Sequence, residues 1–242
     1  MDKLVRINKY LSEAGFCSRR EADKLIEKGL VTINNKQPEK GTKVSLKDEV
    51  RVNGKLIEAD QHNAIYLAFN KPKGIVCTTD TRREKDNIID YINYTERIFP
   101  IGRLDKYSEG LILLTNDGDI VNKILRARNH HEKEYIVTLN RPIKAGFVEK
   151  MANGIPILDT VTKKCHVEQI GENKFKIILT QGLNRQIRRM VEYLGYKVSK
   201  LKRVRIMNLT LDTAIGRWRT LTNAELTSLL KMTEDSDMTQ KK

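Results

Sequence analysis

Residues 101–119 read IGRLDKYSEGLILLTNDGD and place one acid, Asp105, between Arg103 and Lys106. An aspartate there can be a solvated turn residue, a counter-ion or a nucleophile. The third role needs a fixed backbone, shelter from water and a cation that keeps the carboxylate ionised under a bound ligand. Burial raises a carboxyl pKa, and a paired guanidinium lowers it. The stretch supplies part of this. Gly102 and Gly110 bound a bend, Leu104 can anchor that bend to a core, and Leu111–Leu114 reads as a short buried strand. A carboxylate held in this way can form a covalent intermediate. Pattern alone leaves the three roles open.

The surroundings of Asp105 are strongly basic. The 242-residue chain carries 45 lysines and arginines against 31 acids, a formal charge of +14. A field of that sign concentrates polyanions and suits nucleic acid. A basic but otherwise ordinary enzyme is the plainer alternative, and the distribution of charge weighs against it. Residues 181–219 hold ten lysines and arginines and two acids, Glu192 and Asp212, as a binding surface would. Cys17, Cys77 and Cys165 are odd in number and far apart, and none lies in a C-x-x-C pair. This disfavours a disulfide framework or a zinc site and suits a reducing cytoplasm. No apolar run is long enough to span a membrane, and the N-terminus lacks a secretory h-region. No phosphate-binding loop or dinucleotide fingerprint is present, and the adjacent pairs His130-His131 and Cys165-His166 are poorly spaced to share one metal. The reading is an enzyme or binding protein without cofactor or metal.

The chain divides by pattern. Residues 1–58 form a first unit. Leu4, Ile7, Leu11 and Ala14 recur at helical spacing, and Gly15 ends that helix. Ser18 and Glu21 form a capping-box pattern opening a second helix. Short strands follow in LVTIN (30–34) and EVRVNGKLI (49–57), where Asn53-Gly54 suits a type I′ turn. Residues 59–64 read as a linker. Beyond them, 65–232 alternates strand-like and helical stretches. AIYLAFN, GIVCTT, GLILLT, EYIVTL, KCHVEQI and KFKIILT read as strands. DIVNKILRA, Asn184–Leu194 and the Thr222-x-x-Glu225-capped segment read as helices. Residues 233–242 are polar and predict a disordered tail. The class is mixed α+β with a largely antiparallel sheet.

Two resemblances sharpen this. RINKYLSEAGFCSRREADKLIEKGLVTINNK resembles an S4 RNA-binding domain, two helices plus short strands, and implicates Arg6, Lys9, Ser18, Arg19 and Arg20 in RNA contacts. Gly102-Arg103-Leu104-Asp105, with Ser108, Gly110, Leu111–Leu114 and Thr115-Asn116, resembles the active-site motif of the RsuA-type pseudouridine synthases. NKPKG (70–74), KEYIVTL (133–139) and GLNRQIRRM (182–190) resemble three further motifs of that family. KDNIID, RIFPIGRLD, HEKEY and VTKKC bring the chain closest to the RluF-type branch, whose members act on 23S ribosomal RNA.

The resemblance implies a pseudouridine synthase fold after the S4 domain, with helices flanking the sheet. It makes Asp105 the catalytic carboxylate, Arg188 its partner through a bidentate pair, and Tyr135 the ring beside the target base. Lys71, Pro72, Arg103 and Leu104 support the site. Arg185, Arg189, Lys202 and Arg203 are expected to contact RNA, and Arg103 and Lys106 to face its backbone. The expected reaction is isomerisation of a flipped-out uridine to pseudouridine by a cytoplasmic monomer. Its RNA is most readily 23S ribosomal RNA, within an assembly intermediate or free, with 16S ribosomal RNA or tRNA as alternatives. A non-catalytic S4-type RNA-binding or ribosome-assembly protein is the rival reading. The basic stretch 181–219 predicts that RNA affinity falls steeply with salt, roughly tenfold or more between 50 and 200 mM. A flat response in a filter-binding titration would place those residues against solvent or protein.

Overall fold

The computed structural model describes residues 4–58, 64–126 and 129–236. Residues 59–63 of the expected linker at 59–64, and the last six residues of the expected tail, lie outside the described residues. The chain forms two compact units, Met1–Ala64 and Ile65–Lys242.

The first unit runs β1 (Val5–Arg6), α1 (Ile7–Glu13), α2 (Arg19–Glu27), β2 (Val31–Ile33), β3 (Lys43–Val44), β4 (Val50–Val52) and β5 (Lys55–Leu56). Strand β1 pairs with β3, and β2, β4 and β5 form a second small sheet. Helix α1 begins later than the apolar spacing predicts. Its leading residues join the edge of β3, with Ile7 N donating to Thr42 O at 2.8 Å, and Leu4 is left exposed. Ser18 Oγ accepts from Glu21 N at 3.2 Å, so the forward half of the capping box forms. Asn53 and Gly54 have φ of 51° and 75°, as a type I′ turn needs. Ile7, Leu11, Ala22, Val31, Val44 and Val50 are fully buried in this unit's core.

The second unit runs β6 (Tyr66–Lys71), α3 (Ile88–Ile92), β7 (Phe99–Ile101), β8 (Glu109–Thr115), α4 (Gly118–Leu125), β9 (Lys133–Leu139) and α5 (Phe147–Ala152). It continues through β10 (Pro156–Ile157), β11 (Thr160–Val161), β12 (His166–Gly171), β13 (Lys174–Leu179), α6 (Gln186–Tyr193), β14 (Val198–Ile206), β15 (Leu209–Thr210), β16 (Trp218–Thr220) and α7 (Asn223–Met232). One sheet carries the order β12-β13-β9-β14-β8-β6-β16, with β7 on β8 and β15 on β14. All its pairings are antiparallel except β14 with β8. Central strand β8 is buried along its whole length, hence its unbroken apolar run. Leu111 and Leu113 pack with Ile120, Ile124 and Leu229 on one face. Ile112 and Leu114 pack with Phe69, Ile88 and Leu104 on the other. No helix among the described residues is long and apolar enough to cross a membrane.

Three expectations fail locally. GIVCTT is not a strand. Its single bridge, Val76 to Asn87, leaves it an irregular loop tied to neighbouring loops. Helix α6 starts two residues later than read, because Arg185 adopts a left-handed conformation with φ 48° and ψ 34°. The chain does not loosen at 233. Thr233 is buried, its Oγ1 donating to the Leu229 and Leu230 carbonyls, and Ser236 Oγ lies 2.9 Å from His131 Nε2.

The strongest backbone constraint is where β8 meets β14. Gly110 has φ 108°, and a Cβ there would fall 2.2 Å from Arg203 O and 2.8 Å from Arg203 N. Neither partner is a flexible side-chain tip. Gly110→Ala is therefore expected to cost roughly 3 kcal/mol or more, read from the urea midpoint. A loss under about 1 kcal/mol would contradict this close approach. At the sheet's edge, Arg219 holds both oxygens of Asp212 and both of Glu225, joining β16 to the capping box of α7. The guanidinium holds Glu225 down to about 2. Because the folded value lies below the ordinary 4.5, this stabilisation is complete above that pH and lost as pH falls towards 2. Arg219→Met should flatten that part of the acid-unfolding curve.

Candidate active site

The loop from β7 to β8 carries Asp105. Gly102 turns it at φ 82°, Leu104 is buried, and Leu104 N donates to Cys77 Sγ at 3.4 Å. Ser108 N donates to Asp105 O at 2.9 Å and closes the bend. With Leu104 turned inward, Asp105 faces a cleft of about 810 Å³ and keeps a third of its side chain exposed. Tyr135 and Arg188 line the same cleft, so the three expected catalytic residues, Asp105, Tyr135 and Arg188, share one space, and Arg185 lines it with them.

Lys71 fixes this loop from beneath. Its side chain is fully buried at the end of β6, and Nζ donates to Pro72 O at 2.8 Å, Ile75 O at 2.8 Å and Lys106 O at 3.4 Å. An ammonium has three donors, and three carbonyls receive them. Desolvation still pulls Lys71 down to about 8. Gly74 N adds a bond of 2.8 Å to Lys106 O. The loop begun by Pro72 and the loop holding Asp105 therefore move as one body.

Arg188 reaches Asp105 from α6, but the expected bidentate pair does not form. Nε stands 3.6 Å from Asp105 Oδ2, while Nη2 donates to Ser108 Oγ at 3.1 Å and Tyr107 O at 3.3 Å. The guanidinium divides itself between the carboxylate and the loop that carries it. Burial lowers the Arg188 pKa and Asp105 opposes that shift. A second cation, Arg185 Nη1, lies 3.8 Å from the same oxygen. Its left-handed backbone, unusual for a residue with a Cβ, turns it towards the acid. The sequence predicts Arg185 only as an RNA contact, and the structure adds it to the surroundings of the carboxylate.

Other assignments separate. Lys106 does not face outward unpaired: it binds Asp86 at 3.3 Å and Glu84 at 3.7 Å, leaving Arg103 the exposed base of the two. Arg203 is no surface phosphate contact. It is 3% exposed, with Nε donating to Leu111 O at 2.6 Å, because β14 runs through the middle of the sheet. Lys202 is half-buried. Arg189 is half-buried and bonded to Asn184. In the first unit Arg6, Arg19 and Arg20 are exposed, Lys9 pairs with Glu13 at 3.3 Å, and Ser18 caps α2. The sequence reading missed Lys133, which lines the cleft on the same face as Tyr135. The alternation in Lys133-Glu134-Tyr135 was the available signal.

The family model for RNA pseudouridylate synthase matches residues 65–193, and that for the S4 domain matches residues 5–50. A dual-specificity RNA pseudouridine synthase RluF of Salmonella typhi is 56% identical over 97% of this chain and 82% of its own. A ribosomal large subunit pseudouridine synthase B of Bacillus subtilis is 33% identical over 83% of this chain and 84% of its own. A crystal structure of a pseudouridylate synthase superposes with a TM-score of 0.68 at 30% identity, covering 93% of this chain and 99% of that one. With its α+β sheet and its N-terminal S4 domain, this chain belongs to the RNA pseudouridylate synthase family.

Proposed function

We propose that the protein isomerises specific uridines to pseudouridine in ribosomal RNA, foremost 23S ribosomal RNA, with Asp105 as nucleophile. The observation that carries this is the shared cleft. A fixed, partly exposed carboxylate sits under two arginines and beside Tyr135. The basic field of the chain attracts an RNA polyanion, and a flipped base brings its ring to that carboxylate. A large-subunit target is favoured by the name of the Bacillus subtilis relative. The name of the Salmonella typhi relative, dual-specificity, favours a second RNA class, for which tRNA is our candidate.

Two routes fit one carboxylate. In the first, Asp105 bonds to ribose C1′ and the C1′–N1 pair leaves with the uracil, as at a glycosidase centre. In the second, Asp105 bonds to C6 and the C5–C6 π pair moves towards O4. In the second route the C1′–N1 bond then breaks, its pair leaving with N1. Either way C1′ is next joined to C5, the bond to Asp105 breaks with its pair returning to the carboxylate, C5 loses its proton and N1 gains one, so water is not consumed. Arg188 and Arg185 hold the carboxylate ionised under the bound base. Tyr135 packs the ring and offers a hydroxyl for proton movement. Exposed arginines around the cleft and on the first unit hold phosphates.

Asp105→Asn is expected to lower the rate of pseudouridine formation by roughly 10³-fold or more while RNA affinity stays within a few-fold. Wild-type turnover by that variant would remove Asp105 from the chemistry. Mapping pseudouridines in ribosomal RNA and tRNA of cells with and without the protein names the targets. Loss of a large-subunit site supports the reading, and loss confined to small-subunit RNA overturns the 23S assignment.

A further inference from the structure

Lys133 and Tyr135 lie two apart on β9, and Arg203 stands opposite Tyr135 on β14. All three line the cleft that holds Asp105. Arg203 is almost wholly buried, with Nε satisfied by Leu111 O and Nη2 without a hydrogen-bond partner. Lys133 donates to His131 O at 3.3 Å. No carboxylate lies within ion-pair distance of either cation among the described residues. Arg203 is buried and Lys133 half-buried, and a cation withdrawn from water without a counter-charge is costly. Burial and the nearby Arg203 together bring Lys133 down to about 8.

The reaction generates such a complement. If C1′–N1 breaks first, the departing electron pair spreads over N1, O2 and O4 of the uracil. If Asp105 adds to C6, the displaced π pair collects on O4. Both routes place negative charge on a carbonyl oxygen of the ring beside Tyr135.

We propose that Lys133, with Arg203 beside it, is a further catalytic residue whose ammonium donates to a carbonyl oxygen of the flipped uracil and takes up that charge. This rests on Asp105 opening the reaction. The arrangement is an oxyanion site fixed in advance on a sheet rather than on a mobile loop. Lys71 cannot serve, since its three donors are already spent on carbonyls.

The test measures single-turnover rates on an RNA fragment carrying a mapped target uridine, or 2-thiouridine or 4-thiouridine at that position. Sulfur accepts hydrogen bonds weakly. Lys133→Met is expected to slow uridine conversion by roughly 10²-fold with RNA affinity within about threefold, and Lys133→Arg to recover most of the rate. The wild-type to Lys133→Met rate ratio should fall towards 1 when the contacted oxygen is replaced by sulfur and hold when the other oxygen is. A ratio equal for uridine and both thiouridines overturns the proposal. So does a loss of affinity in proportion to rate, which would make Lys133 a phosphate contact. If circular dichroism finds Lys133→Met unfolded, Lys133→Gln takes its place in the same comparison. Failure of the Asp105 reading is seen separately, as turnover by Asp105→Asn.

Discussion

A buried ammonium must find three acceptors, and at Lys71 those acceptors set the shape of the site. Two of its carbonyls belong to the loop after β6, and the third belongs to the loop that carries Asp105. Removing a charge from water is tolerable only with such complete satisfaction. The loops therefore cannot separate without stranding a cation, and the carboxylate inherits the rigidity of the central sheet. Cys77 and Leu104 complete the joint from the apolar side.

Charge within the cleft follows from the same geometry. Arg188 spends half of its guanidinium on Ser108 and Tyr107, so it aligns the loop as well as facing the acid. Arg185 supplies the second positive group at the cost of a left-handed backbone, a strain of the kind found at functional sites. Asp80 and Glu84 also line the cleft but pair with Arg83 and Lys106, so Asp105 is the carboxylate left facing these two arginines, the natural polarity for a proposed nucleophile that must stay ionised beneath an RNA base.

Much of this was legible in the sequence. The fully buried β8 announced itself as an apolar run. Asn53-Gly54 fixed a hairpin, and Thr222 with Glu225 fixed the start of α7. The GRLD bend, Tyr135 and Arg188 carried family resemblance and do share a cleft. The failures have physical causes. Burial of Arg203 depends on β14 lying between β8 and β9, an order no local pattern encodes. Lys106 looked free until Glu84 and Asp86, some twenty residues earlier, were folded against it. Leu4 followed the helical period, yet the edge of β3 outbid the helix for the backbone beside it. Short elements such as β7 and α3 lacked enough residues to establish a period.

The parallel contact between Gly110 and Arg203 also governs when the cleft can exist. Its two sides are separated by more than ninety residues of chain, and Arg203 Nε bonds Leu111 across the same interval. Contacts of such sequence separation form late, after loop closure has been achieved. During synthesis, Asp105 leaves the ribosome long before β14 can flank its strand. The nascent chain thus carries its proposed nucleophile in an unfinished state. It gains the cleft only when the last central strand is inserted, so on the proposed chemistry a partly made protein lacks the assembled site.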